Sequence, residues 1–162
     1  MTSSLSISAN PRMPAPTNEP ARDFVPGSAE SLSVSAAIAG LRSARRELPH
    51  VVDGQRIMTR QAIDSCLAAQ HDWSRTPWWE RAAVMLRAGD LASGKYRDEL
   101  VAATMVGQSK TFHQAEIDAA CEFADFMRFN AHLAQQIHAD QPAALPGDIN
   151  ILDQRPLEGF VL

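Results

Sequence analysis

The sequence has few of the residues that define several classes of protein. It contains only two cysteines, Cys66 and Cys121, which lie far apart and outside any C-x-x-C arrangement. We therefore expect reduced thiols in an intracellular protein rather than a disulfide framework. No apolar run approaches the roughly 18 residues that a membrane-spanning helix needs. The net charge of −4 gives no broad attraction for nucleic acid or for an anionic membrane surface.

The first 18 residues are also short of charge. They contain no acid and a single arginine, Arg12, among several serines and prolines. A secretory signal needs a continuous apolar stretch, which Leu5 and Ile7 do not supply. A mitochondrial presequence would share the lack of acids but would be rich in arginine. The composition favours a disordered tail over a targeting segment. We therefore predict a cytoplasmic protein, with the mitochondrial matrix as the alternative.

What the sequence does contain is enough apolar material for a core, since 45% of its residues are hydrophobic. We predict three regions. Residues 1–26 hold five of the ten prolines and are expected to form an extended or disordered arm. Residues 27–148 are expected to be helical, and residues 149–162 to form strands. The predicted fold class is mostly α with a small β remnant.

Periodicity and capping residues predict five helices and one hairpin in the helical region. The hairpin is expected at residues 50–57, with Asp53-Gly54 at its turn. The helices are expected at about 28–47, 59–73, 76–94, 96–107 and 111–140, and Pro49 and Pro142 are the stops of the first and last. The side chains predicted to face inward are Leu32, Ile38, Leu41 and Leu48 in the first helix, Ile63, Cys66, Leu67 and Gln70 in the second, Trp79, Ala82, Ala83 and Leu86 in the third, and Tyr96, Leu100 and Ala103 in the fourth.

The last predicted helix carries two apolar rows. One row is Ile117, Cys121, Ala124 and Ala131, and the other is Phe123, Phe126, Leu133 and Ile137. Two rows indicate a wide buried face, so this helix is expected to lie between two layers.

Several motifs that suggest chemistry have simpler explanations. None of the five histidines stands in an H-E-x-x-H pattern, so surface or interface positions are expected for them. The stretch Gly107-Gln108-Ser109-Lys110-Thr111 lacks the first glycine of a phosphate-binding loop and follows a helix. A helix C-cap at Gly107 and an N-cap at Ser109 or Thr111 account for it. Both cysteines lie on apolar helix faces and are expected in the core.

Three carboxylates share one face of the long helix. Asp118, Glu122 and Asp125 are spaced at i, i+4 and i+7. Such a run is usually a solvated acidic stripe. The alternative is that Glu122 faces a ligand pocket and pairs with an ammonium group.

Several segments resemble the 1-pyrroline-5-carboxylate dehydrogenase branch of the aldehyde dehydrogenases. The most specific is Thr104-Met105-Val106-Gly107-Gln108-Ser109-Lys110-Thr111, followed by residues 114–122 and 125–130. Further similar stretches are Asn18-Glu19-Pro20 with Phe24 and residues 27–30, residues 81–91 beginning Arg81-Ala82-Ala83, and residues 154–161. Together they cover most of residues 18–162.

The resemblance implies the N-terminal helical layer of an aldehyde dehydrogenase fold, which is α/β when complete. It implies NAD-dependent oxidation of L-glutamate γ-semialdehyde to L-glutamate in proline degradation. The nucleophilic cysteine, the general-base glutamate and the NAD-binding domain of that family are expected beyond residue 162. We therefore expect no catalytic, cofactor-binding or metal-binding residue, and no bound cofactor, in this stretch. Glu122 matches a position in the family's substrate pocket and becomes the one expected substrate-binding residue.

The sequence departs from the family in one internal place. Relatives carry a further segment, including strands, between Ile57-Met58-Thr59 and Gln61-Ala62-Ile63. Because the catalytic groups and the NAD-binding domain of the family are expected beyond residue 162, we expect these 162 residues alone to be inactive. The resemblance implies a homo-oligomer with a small-molecule substrate. Two alternatives stay open, which are a catalytically silent helical module that pairs with full-length subunits and a non-functional truncated product.

Overall fold

The computed structural model describes residues 12–43, 50–52, 55–57 and 59–159. Their elements, in chain order, are α1 (Ala29–Arg42), β1 (His50–Val52), β2 (Gln55–Ile57), α2 (Thr59–Arg75), α3 (Trp78–Ser93), α4 (Arg97–Gln108), α5 (Phe112–Ala115), a π-helical segment (Glu116–Cys121) and α6 (Glu122–Ala139). The predicted class, mostly α with a small β element, is confirmed. No described helix is long and apolar enough to cross a membrane.

Helix α1 begins with a serine cap and ends earlier than predicted. The Ser28 hydroxyl accepts the amide of Ser31 at 3.1 Å, which satisfies one of the free N–H groups of the first turn. At the other end, the Ser43 hydroxyl donates to the Gly40 carbonyl at 3.0 Å, and Ser43 is the C-cap. The predicted end at Glu47 is therefore wrong, and the predicted stop at Pro49 lies outside the described residues, as does Leu48.

The buried face of α1 is not centred on the predicted residues. Val34 is fully buried, and Ile38 and Leu41 pack against the same core, whereas Leu32 is exposed. Val34, Ile38 and Leu41 follow helical spacing, and this face lies along α4. The sequence could show that a face exists but not which of two overlapping faces meets a neighbour.

The predicted hairpin and second helix are both present. His50 pairs with Ile57 and Val52 with Gln55 in an antiparallel ladder, and the turn residues 53–54 lie outside the description. Helix α2 runs to Arg75, two residues past the expected end at Trp73. The expected core positions Cys66 and Leu67 are exposed, because the described part of the chain places no layer over that face.

Thr76 ends α2 rather than starting α3. Its hydroxyl donates to the Asp72 carbonyl at 3.1 Å, and the N-cap of α3 is Pro77, which makes no side-chain cap bond. Helix α3 then packs along α6. A Cβ at Gly89 would stand 3.3 Å from both the Ala124 carbonyl oxygen and Cβ of Met127, so glycine allows this close approach. Ala82 is buried as predicted, while Ala83 is exposed.

Helix α4 turns a different face inward from the one predicted. Arg97, Val101 and Ala102 are buried, whereas the expected Tyr96 and Ala103 are exposed. The helix also passes the expected cap at Gly107, and its C-cap is Ser109 in the left-handed region (φ +56°). The second cap is as predicted, because Thr111 and Gln114 form a reciprocal capping box that starts α5.

The long helix is continuous from α5 to α6 but contains a π-helical segment, which the periodicity did not predict. At its end the amide of Glu122 bonds to the carbonyl of Ile117, five residues earlier. The first predicted apolar row is largely buried, with Cys121, Ala124 and Ala131 all inside. The second row is exposed, so the prediction that this helix is covered on two sides is wrong within the described residues. That row consists of Phe123, Phe126, Leu133 and Ile137.

The N-terminal arm, residues 12–26, runs antiparallel to the long helix without helix or strand of its own. The Met13 amide donates to the side chain of Gln135, near the end of α6. Further along the arm, Phe24 stacks on Phe112 in α5, with ring centroids 5.1 Å apart. The arm is thus held along almost the full length of the helix.

Residues 140–159 contain no helix or strand. The predicted strand at residues 149–152 is wrong, since these residues are exposed and pair with no strand in the part of the chain that the structure describes. The segment is instead held by side chains, including a hydrogen bond from Gln70 to the Leu157 carbonyl at 2.7 Å. The last predicted apolar residues, 160–162, lie outside the description.

Candidate functional site

A buried ion cluster ties the arm to α4, the π-helical segment and α6. Arg97 and Glu116 are almost completely buried and form an ion pair, with Nε of Arg97 3.1 Å from Oε1 of Glu116. Arg97 also pairs with Glu19 of the arm, and Glu19 in turn accepts Nη1 of Arg128 at 2.8 Å. Two acids and two arginines therefore alternate, so each buried charge meets an opposite one.

The arm backbone completes this cluster. The amide of Arg22 donates to Oε1 of Glu116 at 2.9 Å, and Nη2 of Arg97 donates to the Pro20 carbonyl at 2.7 Å. Burial alone would raise the pKa of Glu19, but the hydrogen bonds from Arg128 and Arg97 outweigh it and hold that pKa below its usual value.

The π-helical segment brings two of its residues to the same guanidinium. Arg97 contacts both Glu116 and Sγ of Cys121, the latter at 3.6 Å. In an α-helix, residues five apart differ by about 140° in direction, so they do not face one partner. The wider π turn removes much of that difference. Burial, reinforced by the charge of Glu116, raises the pKa of the Cys121 thiol, which suits a packing role and not a nucleophile.

Two acids of the predicted stripe, Glu122 and Asp125, line one groove, and Asp118 and Asp125 are each engaged by other groups. Asp118 pairs with Lys110. Asp125 accepts Nδ2 of Asn18 at 2.6 Å and the Glu19 amide at 2.7 Å. Among the described residues, Glu122 has no hydrogen-bond or ion-pair partner.

Glu122 lies at an open groove of about 400 Å³. The apolar part of the groove is provided by Phe126, Phe129 and Leu133, and the polar part by Asn18, Glu122, Asp125 and Asn130. A carboxylate beside aromatic rings suits an ammonium-bearing ligand, because both groups attract a cation. The described lining of the groove contains no cysteine, serine, histidine or lysine, and its ionisable groups are two carboxylates.

The remaining candidates fall outside the groove. His138 stacks on Trp78, with centroids 5.1 Å apart, as expected of a surface or interface histidine. In the part of the chain that the structure describes, no three His, Cys, Asp or Glu side chains could hold a metal ion. Cys66 is exposed, which corrects the expectation of a core position.

The buried ion cluster was not predicted from the sequence; its members are Arg97, Glu116, Glu19 and Arg128. One signal was available: Glu116 precedes Ala120 and Ala124 by four and eight residues, so it occupies a position in a buried row. A charge in such a row implies a buried partner. Nothing in the spacing identified that partner.

The sequence and the fold belong to a known class. The aldehyde dehydrogenase family model matches residues 42–162, and the chain belongs to that family. Among solved structures it is similar to the Delta-pyrroline-5-carboxylate dehydrogenase of Mycobacterium tuberculosis, with a TM-score of 0.87 and 38% identity over 95% of this chain. That protein has also been solved with bound NAD.

Curated relatives have the same name. The Delta-1-pyrroline-5-carboxylate dehydrogenase of Agaricus bisporus is 39% identical over 93% of this chain, and the mitochondrial mouse enzyme is 38% identical over 90%. The chain spans 33% and 31% of their respective lengths, and 34% of the M. tuberculosis chain.

Proposed function

We propose that this chain forms the N-terminal, substrate-recognising part of an NAD-dependent 1-pyrroline-5-carboxylate dehydrogenase. The reaction is the oxidation of L-glutamate γ-semialdehyde to L-glutamate in proline degradation. The observation that carries the proposal is the joint match of fold and sequence to an enzyme of that name, with a TM-score of 0.87 and 38% identity. The mitochondrial names of several relatives support the mitochondrial matrix as its location over the cytoplasm.

NAD would be held by other parts of such an enzyme. The strands that the structure describes form one hairpin of three residues a side, and the sequence has no glycine-rich turn between a strand and a helix. Dinucleotides bind where such a turn opens a helix at the edge of a parallel sheet. The residues of this chain do not form a site for NAD. Their role in the proposed enzyme is to bind the aldehyde substrate.

Within this proposal, Glu122 selects an amino-acid aldehyde over a plain one. Glutamate semialdehyde carries an α-ammonium group, and Glu122 offers a carboxylate with no other partner among the described residues. A charge-assisted hydrogen bond of this kind contributes roughly 1.5–3 kcal/mol when the site is closed to water. Its loss corresponds to about tenfold to a hundredfold in kcat/KM.

The test is a chimera in which residues 18–159 replace the matching part of the M. tuberculosis enzyme. Glu122→Ala should lower kcat/KM for glutamate semialdehyde by about tenfold to a hundredfold and leave a short aliphatic aldehyde within about threefold. Glu80→Ala, at an exposed glutamate of α3, is the matched control. Equal effects of Glu122→Ala on both aldehydes would assign Glu122 to a solvated stripe. An inactive parent chimera that still folds would contradict the proposed function itself.

A second candidate function is supported by the exposed apolar row of α6. Phe126 is 60% exposed and Ile137 is 55% exposed, on the same helix as the half-exposed Phe123 and Leu133. Exposed apolar surface of this kind marks interaction sites. Through this row the chain would act as a catalytically silent module that pairs with full-length subunits. The same exposed apolar surface would let the chain pair with itself and form a homo-oligomer.

Light scattering and a hydrophobic dye test this second function. The 162-residue chain should self-associate and bind the dye, and the paired substitutions Phe126→Ser and Leu133→Ser should reduce both. Adding the chain to the M. tuberculosis enzyme should change that enzyme's mass or activity if the module pairs with full-length subunits. A monomer that binds no dye would exclude an interaction through this row.

A further inference from the structure

We infer that Glu19 is a positioning residue that holds the N-terminal arm in place as one wall of the groove. The inference rests on the proposed function, since it gives the arm a part in binding the same substrate. It starts from the composition of the groove. Six of its seven lining residues lie on α6, and the seventh, Asn18, belongs to the arm. A helix alone has a convex surface, so it is the arm that makes this surface concave.

Glu19 is fixed at three points directly beside Asn18. Its amide donates to Oδ1 of Asp125 at 2.7 Å, which ties the arm backbone to α6. Its two carboxylate oxygens meet different arginines, because Oε1 pairs with the buried Arg97 of α4 and Oε2 accepts Nη1 of Arg128 at 2.8 Å. One carboxylate therefore joins the arm to two helices at once.

The other described attachments of the arm are weaker near the groove or lie further from it. Asn18 donates to Asp125 at 2.6 Å, but this hydrogen bond is exposed and competes with water. The amides of Met13 and Arg22 are bonded before and after this stretch. The Glu19 side chain is only 15% exposed, so its two ion pairs are the best protected contacts beside the groove.

The wall determines how well the groove shields Glu122 from water. The Glu122 side chain is exposed, and it makes no hydrogen bond or ion pair to a described residue. A concave site buries most of a small ligand, and an ion pair strengthens where water is excluded. With the arm released, Glu122 would lie on an open helix face, where a pair with an ammonium group contributes little. Glu19 thus acts on substrate affinity through the position of Asn18.

The first test measures the attachment of the arm in the 162-residue chain by NMR hydrogen exchange. Glu19→Ala should speed exchange of the Arg22 amide, which is bonded to Glu116, by at least about tenfold, because the arm opens more often once its central attachment is lost. Circular dichroism should show unchanged helix content, since the arm contains no helix. Glu80→Ala, at an exposed glutamate of α3, is the matched control.

A second variant reaches the same attachment from the helical body. Arg128→Met removes one partner of Glu19 without changing the arm or the lining of the groove. It should also speed exchange of the Arg22 amide, and the double variant with Glu19→Ala should exchange more slowly than the product of the two single effects predicts. Arg87→Met, at an exposed arginine of α3, is the matched control. Unchanged Arg22 exchange in both single variants would overturn the inference.

In the chimera that carries residues 18–159, the same change should alter binding and not turnover. Glu19→Ala should raise KM for glutamate semialdehyde by about threefold to tenfold, with kcat within about twofold and KM for a short aliphatic aldehyde within about twofold. In an Asn18→Ala background, Glu19→Ala should raise KM by less than about twofold, because the wall residue through which it acts is already removed. Glu19→Gln keeps an acceptor for one arginine and should give an intermediate shift.

These readouts separate a positioning role from a general structural one. A loss of structure would lower kcat, affect both aldehydes alike and persist in full in the Asn18→Ala background, and any of these results would overturn the inference. A folded parent chimera without activity would contradict the proposed function. Exchange of the Arg22 amide in the 162-residue chain would then decide whether Glu19 holds the arm beside α6.

Discussion

Breaking the buried pair of Arg97 and Glu116 should destabilise the chain more than breaking any of its other described ion pairs. Arg97→Met removes the cation and largely preserves volume, but it leaves the Glu116 carboxylate, which is 0% exposed, with the Arg22 amide as its one remaining donor among the described residues. Removing one partner of a buried pair costs about 3–5 kcal/mol. Since small domains are stable by only about 5–15 kcal/mol, this is a large share of the total.

A double-mutant cycle separates the pair from the rest of the cluster. Glu116→Gln alone should cost less, about 1–3 kcal/mol, because Arg97 retains Glu19 and the Pro20 carbonyl. The double variant carries no unpaired buried acid, so its loss should fall below the sum of the single losses by about 2 kcal/mol. Urea unfolding followed by circular dichroism measures all four proteins. Additive losses, or a loss below about 1 kcal/mol for Arg97→Met, would refute the assignment.

The cluster also predicts how stability depends on pH. The pKa of Glu19 is lower in the folded chain than in the unfolded one, despite the opposing effect of burial. The stability that Glu19 contributes is therefore fully present above the ordinary pKa of glutamate, about 4.3, and is lost as the pH falls through the lower, folded value. The urea midpoint of the parent chain should fall with acid over this range. Glu19→Gln should fall less, and parallel curves would count against the role of Glu19.

Two further outcomes test the described chemistry. At pH 8 a thiol reagent should label the exposed Cys66 within minutes. The buried Cys121, whose pKa is raised by burial and by Glu116, should react only on unfolding. Cys66→Ala identifies the fast thiol by mass spectrometry, and rapid labelling of Cys121 would show that the cluster opens readily. In calorimetry, the 162-residue chain should show no saturable micromolar binding of NAD, because no glycine-rich strand–helix turn is present. The M. tuberculosis enzyme is the positive control, and saturable binding to this chain would contradict the prediction.

The helices could be predicted from sequence because their signals are local. Apolar spacing, the cap at Ser28 and the capping box at Thr111 lie within a few residues of the elements they define. The faces were harder to predict. Leu32 and Phe126 are as apolar as any core residue, yet they are exposed, since burial depends on which neighbour a helix meets. The π-helical segment was not predicted, because one extra residue in a single turn does not visibly change the spacing of apolar residues.

The candidate site, like the fold, could be predicted from the sequence only in part. The spacing predicted that Asp118, Glu122 and Asp125 share one face of the long helix, and Glu122 and Asp125 do line one groove. The partners of these acids include Lys110 and Asn18, and Asn18 is 107 residues away from Asp125. Periodicity carries no information about such a contact, and only the resemblance to a family singled out Glu122.

Two glutamates of the long helix show how position alone assigns opposite roles to one side chain. Glu116 opens the π-helical segment and turns into the core, where its Oε1 accepts from Arg97 and from the Arg22 amide, while its buried Oε2 has no hydrogen-bond partner among the described residues. Glu122 follows the segment and lines the groove, with no hydrogen-bond or ion-pair partner among the described residues. The extra residue of the π turn lets Glu116 and Cys121 share Arg97 while the next residue, Glu122, points outward. The acid with its own cation fixes the arm along the helix. The acid at the groove has no such partner among the described residues, and it is the one that the proposed function assigns to the ammonium group of the substrate.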